Sequence, residues 1–201
     1  MRWPYAFLLS LAFAALAALV AAGACTGLDQ WAVERQMPGG VFTTNEASLV
    51  AAIVPLYHTH WHDAWSVAVN VVTVPASFVP ALLLVAWRSR PLAVVLVAAT
   101  AAETLCKHVL TRPALHHGAI HVVGFDDSFP SGHTVRTVIL VGAFAHPLTA
   151  LWATASIVLL ELAGWHTPTD LAGGVLLGLL ALLLGSGARR LRAGRLARGR
   201  A

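Results

Sequence analysis

Long apolar runs separated by short polar breaks make up most of this chain. The first run, residues 5–28, follows Arg2 and is longer than the core of a secretory signal, so an uncleaved first helix is expected. Ala22-Gly23-Ala24-Cys25 resembles a lipoprotein cleavage site, but no other feature supports processing. From Asp29 to Asp63 the sequence is polar at first and amphipathic over 49–57, as in a segment lying along a membrane surface. It closes on His58-Thr59-His60-Trp61-His62-Asp63. A second apolar run, 65–87, carries Trp at both ends, in the manner of an interfacial aromatic belt, and stops at Arg88-Ser89-Arg90. A third covers 91–110. The stretch 111–129 holds three His and two Asp and is too polar to cross a bilayer. Runs four and five, 131–145 and 148–165, flank a tight His146-Pro147 turn, and the sixth extends from Pro168 to near Gly185. On it, Gly173, Gly174 and Gly178 allow a neighbouring helix to come close.

The pattern predicts an all-α polytopic membrane protein with six transmembrane helices in one bundle. Composition agrees: of 201 residues, 58% are hydrophobic and 11% charged, with mean hydropathy +0.73, too little polar surface for a soluble domain. Residues 1–63 are expected to hold the first helix and an extracytoplasmic interfacial segment, 64–186 the transmembrane core, and 187–201 a basic cytoplasmic tail. The net charge of +4 is uneven, with six Arg between Arg189 and Arg200. A cluster beside a membrane helix implies anionic lipid headgroups as partners and not nucleic acid. Two cysteines, Cys25 and Cys106, imply no disulfide framework. If the N-terminus is cytoplasmic, Arg2, Arg88, Arg90 and the Arg tail fall inside, as the positive-inside rule prefers. Both termini are then cytoplasmic in the inner (plasma) membrane, and Lys107, Arg112, His133, His166 and Asp170 all fall on the extracytoplasmic face.

Those five residues have compatible chemistry. Ser131 and Gly132 suit a helix N-terminus, where unpaired N–H groups and the helix dipole seat a phosphate. Lys107 and Arg112 would hold phosphoryl oxygens, with Ser131 and nearby backbone N–H groups as neutral donors. His166 with Asp170 fits a nucleophile oriented by a carboxylate, and His133 fits a general acid. In this order on successive helices, Lys107-His-Val-Leu-Thr-Arg112-Pro113, Pro130-Ser131-Gly132-His133 and His166-Thr-Pro-Thr-Asp170 resemble the type 2 phosphatidic acid phosphatase superfamily over about residues 103–180. The resemblance implies that His166 attacks phosphorus to form a phosphohistidine, Asp170 orients it, and His133 protonates the leaving oxygen, with no metal or other cofactor required. The implied substrate is a lipid phosphate, either a prenyl phosphate or diphosphate of the cell envelope or a phosphatidic-acid-type phospholipid.

Two family positions differ. Ala114-Leu115 stands where a second Arg-Pro is usual, and Leu159-Leu160 where a Ser-Arg pair precedes the third motif. Glu103, Glu161, Asp126 and Asp127 add negative charge near the expected seat, while Arg136, one turn beyond His133, offers either a replacement guanidinium or a partner for Glu103 or Glu161. Simpler readings stand beside these. Asp170 fits the third position of a capping box opened by Thr167, Lys107 is a helical ion-pair partner for Glu103, and Pro-Ser-Gly can be a plain turn. His58, His60 and His62 would share one face of an extended strand and could bind a metal with Asp63, whereas a helix would scatter them. Three functions follow, in order: a lipid phosphatase, a catalytically weak relative that binds or transports a phospholipid, and a metal-binding membrane protein.

Overall fold

The computed structural model describes residues 3–35, 64–118 and 120–198. His58, His60 and His62, and with them the metal reading, lie outside the described residues. Within them the chain is helical apart from one antiparallel pair of two-residue strands, His116–His117 with Ile120–His121.

Helix α1 (Trp3–Ala21) is apolar all round and buries only Ala6, Ala17 and Val20, leaving residues such as Tyr5, Phe7 and Leu11 outward. A helix of that kind suits a lipid surround. The apolar run does not continue as one helix to residue 28. Gly23 adopts φ +74°, its N–H donates to the Val20 carbonyl (3.0 Å) and the Ala24 N–H reaches back to Leu19 (2.9 Å). This is a Schellman stop, which a glycine permits without Cβ strain. A short helix, α2 (Thr26–Val33), follows and turns Asp29 inward.

Helices α3 (Ala64–Thr73) and α4 (Phe78–Arg88) are the two halves of the second run; a 3-10 turn at Val74–Ala76 prolongs the first, and the arms Val69–Ala76 and Phe78–Arg88 differ by 50° across Ser77, whose backbone is extended. Pro80, on the far side of the break, has no N–H to return to the Ala76 carbonyl. Helix α5 (Arg90–Val109) has Pro91 in its first turn, where a missing N–H costs nothing. Helix α6 (Gly132–Phe144) ends on Ala145 in the left-handed region (φ 47°), and α7 (Pro147–Leu162) starts at once, the His146 ring accepting from the Leu148 N–H (3.2 Å). Helix α8 (Pro168–Arg198) does not stop near Gly185 but carries the basic tail onward as helix. Leu, Ala and Arg, which dominate that tail, are all strong helix formers.

Three helices, α1, α5 and the Pro168–Ser186 part of α8, are long and apolar enough to cross a membrane, or four spans if the bent α3–α4 pair counts as one. They give the chain the character of a membrane protein. Helices α6 and α7 are apolar but shorter. The α6–α8 contact is the most extensive, and α1, α5, α4 and α7 pack around that pair. Its apolar centre joins Val85, Leu96, Ile139 and Leu177, while Val33, Leu115, Val122 and Phe125 form a second small core under the connection between α5 and α6.

Candidate functional site

The site residues come from helix ends that meet at one end of the bundle. Two local designs start its central helices. Ser131 caps α6, its Oγ accepting from the Thr134 N–H (3.3 Å) and hydroxyl (3.0 Å). Thr167 and Asp170 form the capping box of α8, with the Thr167 N–H donating to Asp170 Oδ2 (3.0 Å). The two starts are joined directly, the Ser131 N–H donating to the Asp170 carbonyl (2.9 Å). Gly173 and Gly174 make this approach possible, since a Cβ on the first would run into the Phe129 ring and on the second into the Ser131 carbonyl and Thr134.

Arg112 is deeply engaged. One Nη donates to Asp170 Oδ1 (3.0 Å) and the other to Asp29 Oδ2 (2.5 Å), and its side chain is only 4% exposed. Asp29 also accepts from the Thr169 N–H (3.2 Å) and hydroxyl (2.7 Å), so this carboxylate sits on the N-terminal turn of α8. Asp170 Oδ2 accepts from Ser128 Oγ (2.7 Å). The result is a buried cation between two buried carboxylates, each with further donors, which is the condition under which buried charge is tolerated.

A second charged group lies on α5 and α6. Glu103 Oε1 is 3.0 Å from Lys107 Nζ, and Oε2 accepts from an Arg136 Nη (3.1 Å). Arg136 Nε donates to the Ala76 carbonyl (2.6 Å), tying α6 to the break between α3 and α4. Of the two readings open for Arg136, the structure has it as the partner of Glu103. The Glu103 carboxylate lies against Gly132, where any Cβ would collide with it.

The two histidines stand between these groups. His166 is buried, with Nδ1 3.8 Å from Asp170 Oδ2, too long for a hydrogen bond but close enough for an ion pair once the ring is charged. The His133 and His166 ring centroids are 6.2 Å apart, and Trp165 packs edge-on to His133 at 5.8 Å. Arg136, His166 and Lys107 are the ionisable neighbours of His133. The two rings are tilted by 55° to each other, so two imidazoles stand at the same end of the bundle, near enough to act on one ligand.

All eight expected residues, Lys107, Arg112, Ser131, Gly132, His133, Arg136, His166 and Asp170, thus lie at one end of the bundle, but each of the three cations already has a carboxylate partner. Asp126 turns to His121 (2.9 Å) in the connection between α5 and α6 and takes no part in either charged group. Among the described residues no group of three or more His, Cys, Asp or Glu is placed to hold a metal. Asp29 was missed by motif reasoning because it lies far outside the motif-bearing stretch. The one signal available was an acid directly after an apolar run, where an ionisable group needs a partner. Ser128 and Thr169 are serving residues of the same kind, recognisable only once the helix ends meet.

Comparison of the chain with protein-family models, with curated proteins and with solved structures found no match in any of the three.

Proposed function

We propose that the chain is a membrane lipid phosphatase that hydrolyses a phosphomonoester or diphosphate of a lipid through a phosphohistidine. One observation carries the reading: His133 and His166 stand close together, 6.2 Å between ring centroids, with Asp170 beside the second. With Nδ1 turned toward Asp170, Nε2 of His166 is the attacking atom. It forms the N–P bond as the P–O bond to the lipid breaks, and His133 gives its proton to the departing oxygen. Water, deprotonated by His133, then cleaves the N–P bond and releases orthophosphate. Asp170 stabilises the charge that develops on His166. The scheme is metal-independent, and substrates of the prenyl phosphate and phosphatidic-acid types both suit it, because either keeps its chain in the bilayer while its headgroup reaches the helix ends.

In the matching membrane arrangement α1, the α3–α4 pair, α5, α6, α7 and α8 are six spans of one bundle. Both termini are cytoplasmic, the Arg tail faces anionic lipids, and the site opens on the extracytoplasmic face of the plasma membrane. The distribution of Arg supports this orientation.

A second reading, a weak or inactive relative that binds or transports a phospholipid, is favoured by the engagement of Lys107, Arg112 and Arg136 with carboxylates. One assay separates the two. Purified protein in detergent with chelator is given a panel of lipid phosphates and diphosphates, beside His166→Ala. Phosphatase chemistry predicts orthophosphate release that falls at least about 10³-fold in the variant, with an acid-labile, base-stable phosphoprotein trapped only in the wild type. Lipid binding without release, or equal release by the variant, would leave the second reading standing instead.

A further inference from the structure

An anion already lies beside the start of α6. Glu103 is 5% exposed, and its carboxylate bridges Lys107 (3.0 Å) and Arg136 (3.1 Å) while lying against Gly132. Two cations and the start of a helix are what a phosphate monoester requires, and a planar carboxylate is the nearest imitation a side chain can offer. Lys107, Arg112 and Arg136 face Glu103, Asp29 and Asp170, three against three, so a phosphate added to the group as it stands brings uncompensated negative charge into a poorly hydrated place. Of the three carboxylates, Asp29 and Asp170 also accept from backbone N–H groups at the start of α8, and Asp170 from Ser128 as well. Among the described residues Glu103 is held by Lys107 and Arg136, the two cations a phosphate would need, and it sits on a longer side chain that can swing.

We propose that Glu103 is a resident anion that fills the phosphate seat formed by Lys107, Arg136 and the first turn of α6, and that an incoming phosphate must displace it. This rests on the reading of these residues as a phosphate site. Glu103 then sets the affinity threshold: a ligand of one negative charge competes poorly with a tethered carboxylate, and a phosphate dianion or a diphosphate competes better. Gly132 contributes by letting the carboxylate reach the helix start at all.

Orthophosphate binding by the full-length protein in lipid-free detergent, measured by calorimetric titration, tests the idea without any turnover. Glu103→Gln keeps the shape and one acceptor for Arg136 but removes the charge, and it is expected to tighten orthophosphate binding at least tenfold. Adding Lys107→Gln to it should abolish the gain. Glu103→Asp, which draws the carboxylate back by one methylene, should give a smaller gain in the same direction. Unchanged or weaker binding by Glu103→Gln overturns the proposal, and so does a gain that survives Lys107→Gln. Thermal unfolding is followed for each variant. If Glu103→Gln does not fold, Glu103→Asp decides, and failure of both to fold also overturns the proposal, because a displaceable anion cannot be indispensable to the fold. The outcomes separate from those of the enzymatic reading. A tenfold gain in a protein that releases no phosphate from lipids keeps the resident anion and discards the phosphatase, while an active phosphatase with no gain does the reverse.

Discussion

Asp29 and Arg112 are 83 positions apart in the chain and 2.5 Å apart in the fold, and both side chains are almost wholly buried. Without Asp29, Arg112 keeps Asp170 as its carboxylate partner, but one of its donors and the Thr169 N–H and hydroxyl lose their acceptor, and a buried donor left unsatisfied costs about 1–3 kcal/mol. Asp29→Ala is therefore expected to lower unfolding stability in detergent by about that amount or somewhat more. Asp29→Asn should cost less, since an amide oxygen can still accept from Thr169. Chemical unfolding of the three proteins side by side checks the order. The same residues mark where the sequence was readable and where it was not. His133, His166 and Asp170 can be found from chemistry and spacing because each lies in a short local motif. The pairing of Arg112 with Asp29 cannot, because nothing local to position 29 tells an interfacial acid from a buried one. In the proposed phosphatase His133 is the general acid, and loss of a general acid is worth about 10²–10⁴-fold. His133→Ala should lower phosphate release by that factor while leaving orthophosphate affinity within a few-fold of wild type, and a drop in affinity equal to the drop in rate would argue against the acid role.

At the scale of elements, the candidate site depends on how closely α6 and α8 approach. Gly174 faces the Ser131 carbonyl, so a Cβ there would stand 2.6 Å from a backbone atom that cannot rotate away. Gly174→Ala must therefore push the two helix starts apart, with an overpacking cost of about 1–3 kcal/mol. A lower unfolding temperature together with reduced phosphate release is the expected result. Gly27 in α2 is the matching control, because nothing lies within 4 Å of its Cβ position. Gly27→Ala should be neutral or slightly stabilising through the lower entropy cost of Ala in a helix. Equal losses from both substitutions would show that close approach of α6 and α8 is not what matters. The positions of α5, α6 and α7 follow the apolar runs closely, because hydropathy and flanking Pro or polar residues fix such helices. The early stop of α1 and the 50° bend between α3 and α4 do not show in hydropathy. Gly23 sets the first and the extended backbone at Ser77, ahead of Pro80, marks the second, and each leaves the apolar run largely unbroken. The helical course of the tail through Arg198 was hidden for a different reason: charge ends a hydrophobic run without ending a helix.

For the whole molecule, length and charge together define how the bundle would sit in a bilayer. Helix α6 has 13 residues, which at about 1.5 Å per residue gives roughly 20 Å against a hydrocarbon core of about 30 Å. In the proposed orientation the C-terminal end of α6, Ala145 to Pro147, lies at the cytoplasmic boundary and its first turn stops short of the outer one, so that Ser131 and His133 lie below the outer surface. A recessed site of this kind favours a ligand that arrives from within the membrane, and its charged groups are tolerated there because they neutralise one another. The orientation on which this depends has a direct test. In a background of Cys25→Ser and Cys106→Ala, Val123→Cys lies on the outer connection, where Val123 is 42% exposed, and Ser89→Cys lies in the turn between α4 and α5. An impermeant maleimide is expected to label Val123→Cys in intact cells and Ser89→Cys only after the membrane is opened. The opposite pattern would place the Arg-rich ends outside and the histidines in the cytoplasm, and substrates drawn from the outer leaflet would have to be abandoned in favour of lipids of the inner one.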